Sequence, residues 1–478
     1  MATELYGADA VVGASTLGTP VSTTANLVFY GTSSAGAVGV PQLIASWADA
    51  VEKLGCASGD GYTLTDAAIA AFKVCNLKQI YCIPVSNSIG PTVGDVTAVL
   101  ENISDLWMKY GIIANILCAP RNQNADVIAA LVTAAKKQNG HFDGIVVYDG
   151  IQEDSQLNAD GRPVLSELTS AKVKTSTDKI CICQWGYAKL KSGDVISGAA
   201  LRACRLALAD MQNPGSLPSR CSGNLDVDIE ASVIMGTDEL TNSCVGQGGT
   251  RYTLTFTITQ DGYTDYNGAL YCYAVVGTMG GDVSKSDYVA FTNGVGTMDF
   301  AAGSSITQPT ITAHNVFINV FRIINAKESD LTQLSADGID SFLNIGGGQY
   351  VTWGDHTAAF INGTIVDETG RFDNYMRMMY HVTNRFQQKY RNIIDNRLTL
   401  KVRNDILSEE NDYLNLLVSQ EALIGSPKCK FDELENSTET AQKGEFYFED
   451  FMTITPPAKY IKLKITFTAD GFVVYKEV

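Results

Sequence analysis

The rhythm of residues 26–211 constrains this chain more than any other feature. NLVFYGT (26–32), QIYCIPV (79–85), IIANILC (112–118), GIVVYDG (144–150) and KICICQW (179–185) are apolar runs of strand length. DAAIAAFKVC (66–75), DVTAVLENISDLWMKY (95–110) and NADVIAALVTAAKKQNG (124–140) lie between them with helical patterning. In the last, Asn124 stands at an N-cap position and Gly140 past the end, where helix chemistry favours them. Strands apolar on both faces, alternating with helices, predict a mostly parallel sheet covered by helices on both sides. At 478 residues the chain is too long for one ordinary domain.

The texture changes between 216 and 312, where Thr, Gly, Tyr and Val dominate and Pro214 and Pro218 mark the border. RYTLTFTIT (251–259) alternates strictly, with Tyr252, Leu254, Phe256 and Ile258 on one face. This predicts an all-β, sandwich-like module inserted into the α/β part. Residues 313–360 read as a return to the α/β core: the run VFINVFRII, a helical stretch near 328–344, then GGGQYVTWG.

Residues 361–470 read as an α+β C-terminal domain. Its first helix repeats Met379, Phe386, Ile393 and Leu400 every seven residues, and its second places Ile406, Tyr413, Leu417 and Ile424 alike. In YIKLKITFT (460–468), Ile461, Leu463, Ile465 and Phe467 share one strand face, Asp470-Gly471 supplies a turn, and FVVYKEV follows. Residues 1–20 and 471–478 read as terminal arms. Charge is partitioned: Arg371 to Arg403 is basic, and 404–450 is strongly acidic.

The net charge of −17 argues against a nucleic-acid-binding subunit. No run approaches the roughly 18 apolar residues of a membrane helix. The first basic residue is Lys53, so a charged signal-peptide start is not expected, and folding in a cytoplasm is. The 11 cysteines include no C-x-x-C pair and mostly sit in apolar runs, as core thiols do.

The search for chemistry ends without a site. GTSSAGAV (31–38) has the glycine spacing of a phosphate loop, but Ala37 and Val38 stand where Lys and Ser/Thr are needed. The glycines at 346–348 lack the strand–helix context of a dinucleotide site. His141, His314, His356 and His381 show no ligand spacing, and no G-x-S-x-G elbow presents a nucleophile to the Asp355-His356 pair. No catalytic residue, cofactor or metal is expected.

The C-terminal third resembles the phage tail sheath family. GIDSFLNIGGGQYVTWGDHTAAF (338–360) is similar to its Gly-rich turn and following strand, with Gly346, Gly347, Gly348, Trp353, Gly354 and Thr357 as the motif. RFDNYMRMMYHVTNRFQQKYRNIIDNRLTLKVRNDI (371–406) resembles its long helix, NDYLNLLVSQEALIGSPK (411–428) its next helix and turn, and EFYFEDFMTITPPAKYIKLKITF (445–467) its closing strands. Residues 19–55 are similar to its opening strand, loop and helix. Asp355-His356 departs from the family, which more often has a small residue and Arg there.

The resemblance implies a structural protein and not an enzyme: a sheath subunit of a contractile phage tail or phage-tail-like bacteriocin. Such subunits polymerise helically around an inner tube, exchange strands through terminal arms, and contract from a metastable state. Implied partners are copies of the chain, an inner tail tube protein, and baseplate and tail terminator proteins, with no nucleic acid and no membrane insertion. Assembly would take place in a bacterial cytoplasm, before release within the particle. Val11, Val12, Phe472, Val473, Val474 and Tyr475 are the expected arm residues; Arg385, Arg391, Arg397, Glu409, Glu410 and Asp412 are the expected docking charges. The rivals are an α/β enzyme with a β-rich accessory domain, a surface adhesin, and the sheath of a secretion system.

Overall fold

The computed structural model describes residues 26–88, 93–136, 138, 142–221, 225–246, 251–258, 270–275, 286–291, 295–301, 316–432 and 434–468, with the strands between 235 and 321 given as backbone. The chain divides into two compact units, Met1–Asn404 and Asp405–Val478.

The first unit opens with β1 (Leu27–Thr32), β2 (Gln42–Ile44), α1 (Trp47–Leu54), α2 (Thr63–Ala68), β3 (Ile80–Ser86), α3 (Val93–Leu100) and α4 (Ser104–Tyr110). It continues through β4 (Ile116–Cys118), α5 (Ala125–Ala135), β5 (Ile145–Asp149), α6 (Leu165–Thr175) and β6 (Cys181–Gln184). Every residue of β1, β4, β5 and β6 is buried, as the doubly apolar runs require. Local chemistry sets the helix ends. Ser46 Oγ accepts the Asp49 N–H at the start of α1, and Gly55, at φ +68, closes that helix. Asn124 Oδ1 accepts the N–H of Asp126 and of Val127, as its sequence position predicts.

Beyond β6 come β7 (Tyr187–Lys189), β8 (Val195–Ile196), α7 (Gly198–Gln212) and β9 (Asp226–Val227). Then β10 (Ala231–Gly246), β11 (Arg251–Ile258), β12 (Leu270–Val275), β13 (Ser286–Phe291), β14 (Val295–Ala301) and β15 (Val316–Ile323) form one antiparallel sheet. Its order is β13-β12-β15-β10-β11-β14, with β7 attached through β10. The outermost strands β13 and β14 are consecutive, joined by residues 292–294. That link spans at most about 14 Å, whereas six flat strands would be about 24 Å wide. The sheet therefore rolls until its halves face each other.

The chain then forms α8 (Glu328–Ser335), β16 (Ile339–Gly346), β17 (Gln349–Trp353) and α9 (Asp373–Tyr390). The core sheet runs β2-β3-β1-β4-β5-β6-β16-β17-β9. Neighbours from β3 to β16 are parallel, and β2, β17 and β9 pair antiparallel at the ends. β16 lies beside β6, so the whole β-rich excursion is inserted between adjacent core strands. Its outgoing and returning strands are themselves paired, Val233 with Ile323, and the Ile324 N–H bonds the Ser232 carbonyl at 2.8 Å. An insertion whose ends meet this way leaves its host undisturbed.

In the second unit, α10 (Leu400–Ser419), which begins at the boundary, leads to β18 (Leu423–Phe431), α11 (Thr438–Gln442) and β19 (Phe448–Ile454). β18 and β19 form a two-stranded antiparallel sheet. Its small core includes Ile406, Leu414, Leu417, Leu423, Cys429 and Ile454.

Four expectations change. The run VFINVFRII does not return to the α/β core; as β15 it pairs with β10 and β12. The helix near 328–344 ends at Ser335, because Gly338 turns the chain at φ +66 and the apolar IDSFL pairs with β6. α9 belongs to the first unit instead of joining α10 in one domain, since Arg377 and Asn384 bond Asp210 and Asp143 there. On α10 the buried stripe is Ile406, Glu410, Leu414 and Leu417, whereas Ile424 is exposed on β18.

Buried charge pairs fasten the first unit. Arg202 of α7 and Asp340 of β16 are wholly buried, 2.6 Å apart, and Arg202 also donates to the Gly354 carbonyl. Arg202→Met should lower stability by about 3–5 kcal/mol, because it leaves Asp340 ionised in the core without its guanidinium. Urea unfolding at pH 7 checks this; a loss below about 1 kcal/mol would deny the pair its role.

Candidate functional site

In a doubly wound sheet, ligands bind at the carboxyl ends of strands where the winding reverses. Here the chain passes from β1 to β3 on one side and to β4 on the other, so the reversal lies between β1 and β4. The chain's own side chains occupy that position. Asp66 of α2 accepts Arg121 Nε at 2.5 Å, Arg121 Nη2 at 3.0 Å and the Ser197 N–H at 2.8 Å. Asp149, at the end of β5, accepts Ser197 Oγ at 2.6 Å, the Arg121 N–H at 2.7 Å and the Ala199 N–H at 2.9 Å. The start of α7, where a phosphate would sit, thus faces Asp149.

Burial pushes the Asp149 carboxyl up to about 6, against the opposing hydrogen bonds of Ser197, Ala199 and Arg121. Burial likewise raises Asp66, with Arg121 opposing. The arrangement joins four segments and holds their charge internally. Among the described residues, no group of three or more His, Cys, Asp or Glu is placed to hold a metal ion. No helix of the described residues is long and apolar enough to cross a membrane.

The motif glycines have mechanical explanations. Gly346, Gly347 and Gly348 form the β16–β17 turn at φ +114, +62 and +77, three consecutive left-handed positions that only glycine adopts readily. Gly354, at φ +124, lies against Asp340, and a Cβ there would overlap its carboxylate. Trp353 is half-buried at the end of β17. Thr357 is buried, and its hydroxyl donates to the Gly370 carbonyl. His356 is packed between rings, stacking on Phe360 at 3.9 Å and on Phe372 at 5.1 Å.

The expected docking charges separate. Glu409 and Asp412 are exposed on α10, and Arg397 is exposed between α9 and α10. Arg385 is half-buried, and Arg391 lies over the Trp107 ring at 5.6 Å. Glu410 is fully buried in the stripe with Ile406, Leu414 and Leu417, which removes it from any docking surface. Val11, Val12, Phe472, Val473, Val474 and Tyr475 lie outside the described residues.

The most unusual surface is one that sequence reading placed within a strand pair. Residues 455–468 form no strand or turn, and Tyr460, Ile461, Leu463, Ile465 and Phe467 are 81%, 85%, 80%, 83% and 81% exposed. Their alternation with Lys462, Lys464 and Thr466 is a strand pattern. Sequence reasoning also missed the buried pairs. The signal for Arg202 was present, as a cation inside the small-residue helix GAALRACRLALADMQ.

Asp149 gives the core a pH signature. Its folded pKa lies above the ordinary carboxyl value, so the folded state holds the proton more tightly. Its contribution to stability should therefore grow as pH falls from about 6 toward about 4. Asp149→Asn should flatten the pH dependence of unfolding free energy across that window relative to wild type. Parallel curves for the two proteins would contradict the assignment.

No family model matches the sequence, and no curated protein matches it. Solved structures do. A chain of the PVC sheath complex, from an extracellular contractile injection system in its contracted state, superposes with a TM-score of 0.58 at 12% identity, covering 98% of this chain and 100% of that one. A chain of the anti-feeding prophage baseplate gives 0.57 at 14% identity, covering 98% and 100%. A chain of that baseplate in its contracted state gives 0.56 at 12% identity, covering 98% and 99%. Over nearly its whole length, this chain has the fold of these chains of the PVC sheath complex and of the anti-feeding prophage baseplate.

Proposed function

We propose that the chain is the structural subunit of a contractile sheath, polymerising helically with copies of itself around an inner tube. The observation that carries this reading is the exposed run at 460–467, which follows in the chain a sheet that has two strands among the described residues. A side chain of this size contributes about 1.5–3 kcal/mol when buried, so four on one strand face are costly to leave in water and favour burial against a neighbour. Addition to a neighbour's sheet edge would bury them and complete main-chain hydrogen bonds at once. A head-to-tail contact of this kind does not close on itself and builds a filament.

The fold shared with the PVC sheath complex supports the same reading. So does the winding reversal, whose polar groups are engaged within the chain. Contraction then needs no nucleotide. The extended sheath is a metastable packing, and a small gain per subunit, summed along the polymer, drives the tube. The particle would be a phage tail, a bacteriocin or a related injection system, with the inner tube, baseplate and tail terminator proteins as partners. Residues 1–20 and 471–478 would serve as arms. Glu409 and Asp412 would face a neighbour or the tube.

Electron microscopy of the purified chain at high concentration should show striated tubes or rings, and deletion of residues 459–478 should abolish them without unfolding the protein. A strictly small particle at every concentration, also in the presence of inner tube, would refute the proposal. Charge reversal at Glu409 and Asp412 should reduce assembly on the tube several-fold; unaltered sheaths from that variant would remove those two residues from the docking surface.

A further inference from the structure

We infer that Pro456-Pro457 is a built-in block to self-closure, which keeps the 460–468 run off the β19 edge of its own chain and reserves it for the β19 edge of a second copy. The inference rests on the assembly reading above and adds to it how cis pairing is prevented and which edge accepts.

The problem is local. Only five residues, Thr455 to Lys459, separate β19 from the run. Hairpin connections are commonly two to five residues long, so folding back onto β19 is the default outcome for two strand-forming segments this close. A chain that did so would satisfy its own edge and have nothing to exchange.

The link opposes this in three ways. The primed turns that match strand twist need positive φ at their central positions, which neither Pro456 nor Pro457 can supply. Thr455 and Pro456 each precede a proline, so both are driven to extended conformations and away from the helical one a type I turn needs. Such a segment advances about 3.1 Å per residue and does not double back. The structure agrees: the link contains no turn and no cis peptide. Its first residue is fixed, with the Thr455 N–H on the Ala422 carbonyl at 3.1 Å and Thr455 Oγ1 on the Glu421 carbonyl at 2.6 Å. The prolines therefore start from an anchored point and direct the chain outward.

The two edges of the acceptor sheet also differ. β18 carries Pro427 and a break in register between Ile424 and Lys428, features that blunt a strand edge. β19, FEDFMTI, contains no proline. Its Glu449 is exposed, and the incoming run carries Lys462 and Lys464, of opposite sign. The occupant of the β19 edge is thus a second copy of this chain.

The test replaces the link's prolines with a hairpin former, P456N/P457G, in the full chain. Deuterium exchange at low concentration reads the 460–468 amides, thermal melting confirms the fold, and electron microscopy at high concentration reads assembly. Wild type should exchange at the unprotected rate and assemble; the variant should gain at least tenfold protection and lose at least tenfold in tube yield. P456G/P457G, which frees the link without favouring a turn, should fall between them and serves if the first variant does not fold. Protection with undiminished assembly, or lost assembly without protection, would overturn the inference, as would unprotected amides with wild-type yield. Failure of wild type to assemble would instead sink the assembly reading, while the exchange comparison would still decide whether the prolines prevent cis pairing.

Discussion

The architecture depends on how α7 is anchored. Its N-cap residue, Ser197, joins Asp66 and Asp149 beneath the carboxyl ends of the sheet. Arg202, one turn later, binds Asp340 of β16 and the Gly354 carbonyl. Asp210, near its end, holds Arg377 of α9, with burial raising the aspartate to about 6 and Arg377 opposing the rise. Each attachment is a charge taken out of water. Such pairs add little net stability over apolar packing, yet breaking one is expensive, so they select one arrangement over its competitors. The small residues of α7 let the helix approach the sheet closely enough for these short polar reaches. Gly354 is part of the same device, since only a residue without Cβ leaves room for the Asp340 carboxylate.

This explains how a large insertion can sit between β6 and β16. Those strands are neighbours in the sheet but are separated by more of the chain than any other parallel pair in it. The Arg202–Asp340 pair ties β16 to α7, and the Trp185 N–H on the Asp340 carbonyl, at 2.7 Å, ties it to the end of β6. The register of the returning strand is therefore fixed by the core and not by the inserted module. The β10–β15 pairing then brings the module's two ends together at its root.

The α/β alternation was legible because a parallel strand is buried on both faces and has no choice but to be apolar. The Asn124 cap was legible because capping is local chemistry. What failed was whatever depended on partners distant in sequence. VFINVFRII reads identically as a core strand or a module strand, and only its pairing with β10 decides. IDSFL was read as a continuation of α8 because the strand it joins, β6, is more than 150 residues earlier. Glu410 was read as a docking charge from its acidic surroundings, although Ile406 and Leu414, four residues to either side on α10, share its buried face. The exposed run is the reverse case: its alternation reads as a strand, yet residues 460–468 form no strand, and no strand pairs with them among the described residues.

A contracting polymer must reorient subunits without detaching them, which asks for rigidity and compliance in different places. Rigidity here resides in the first unit, where buried ion pairs make intermediate arrangements costly. Compliance cannot reside in a β ladder, whose hydrogen bonds are lost by small shifts in register. It must lie in whatever connects a ladder to the body that moves. A short extended link serves that purpose: it can pivot about its anchored end at Thr455 while its prolines hold it open. On the sheath reading, the same five residues keep the strand available before assembly and let it follow its neighbour afterwards. A fully flexible linker would permit the second but invite closure in cis, and a tight turn would forbid both.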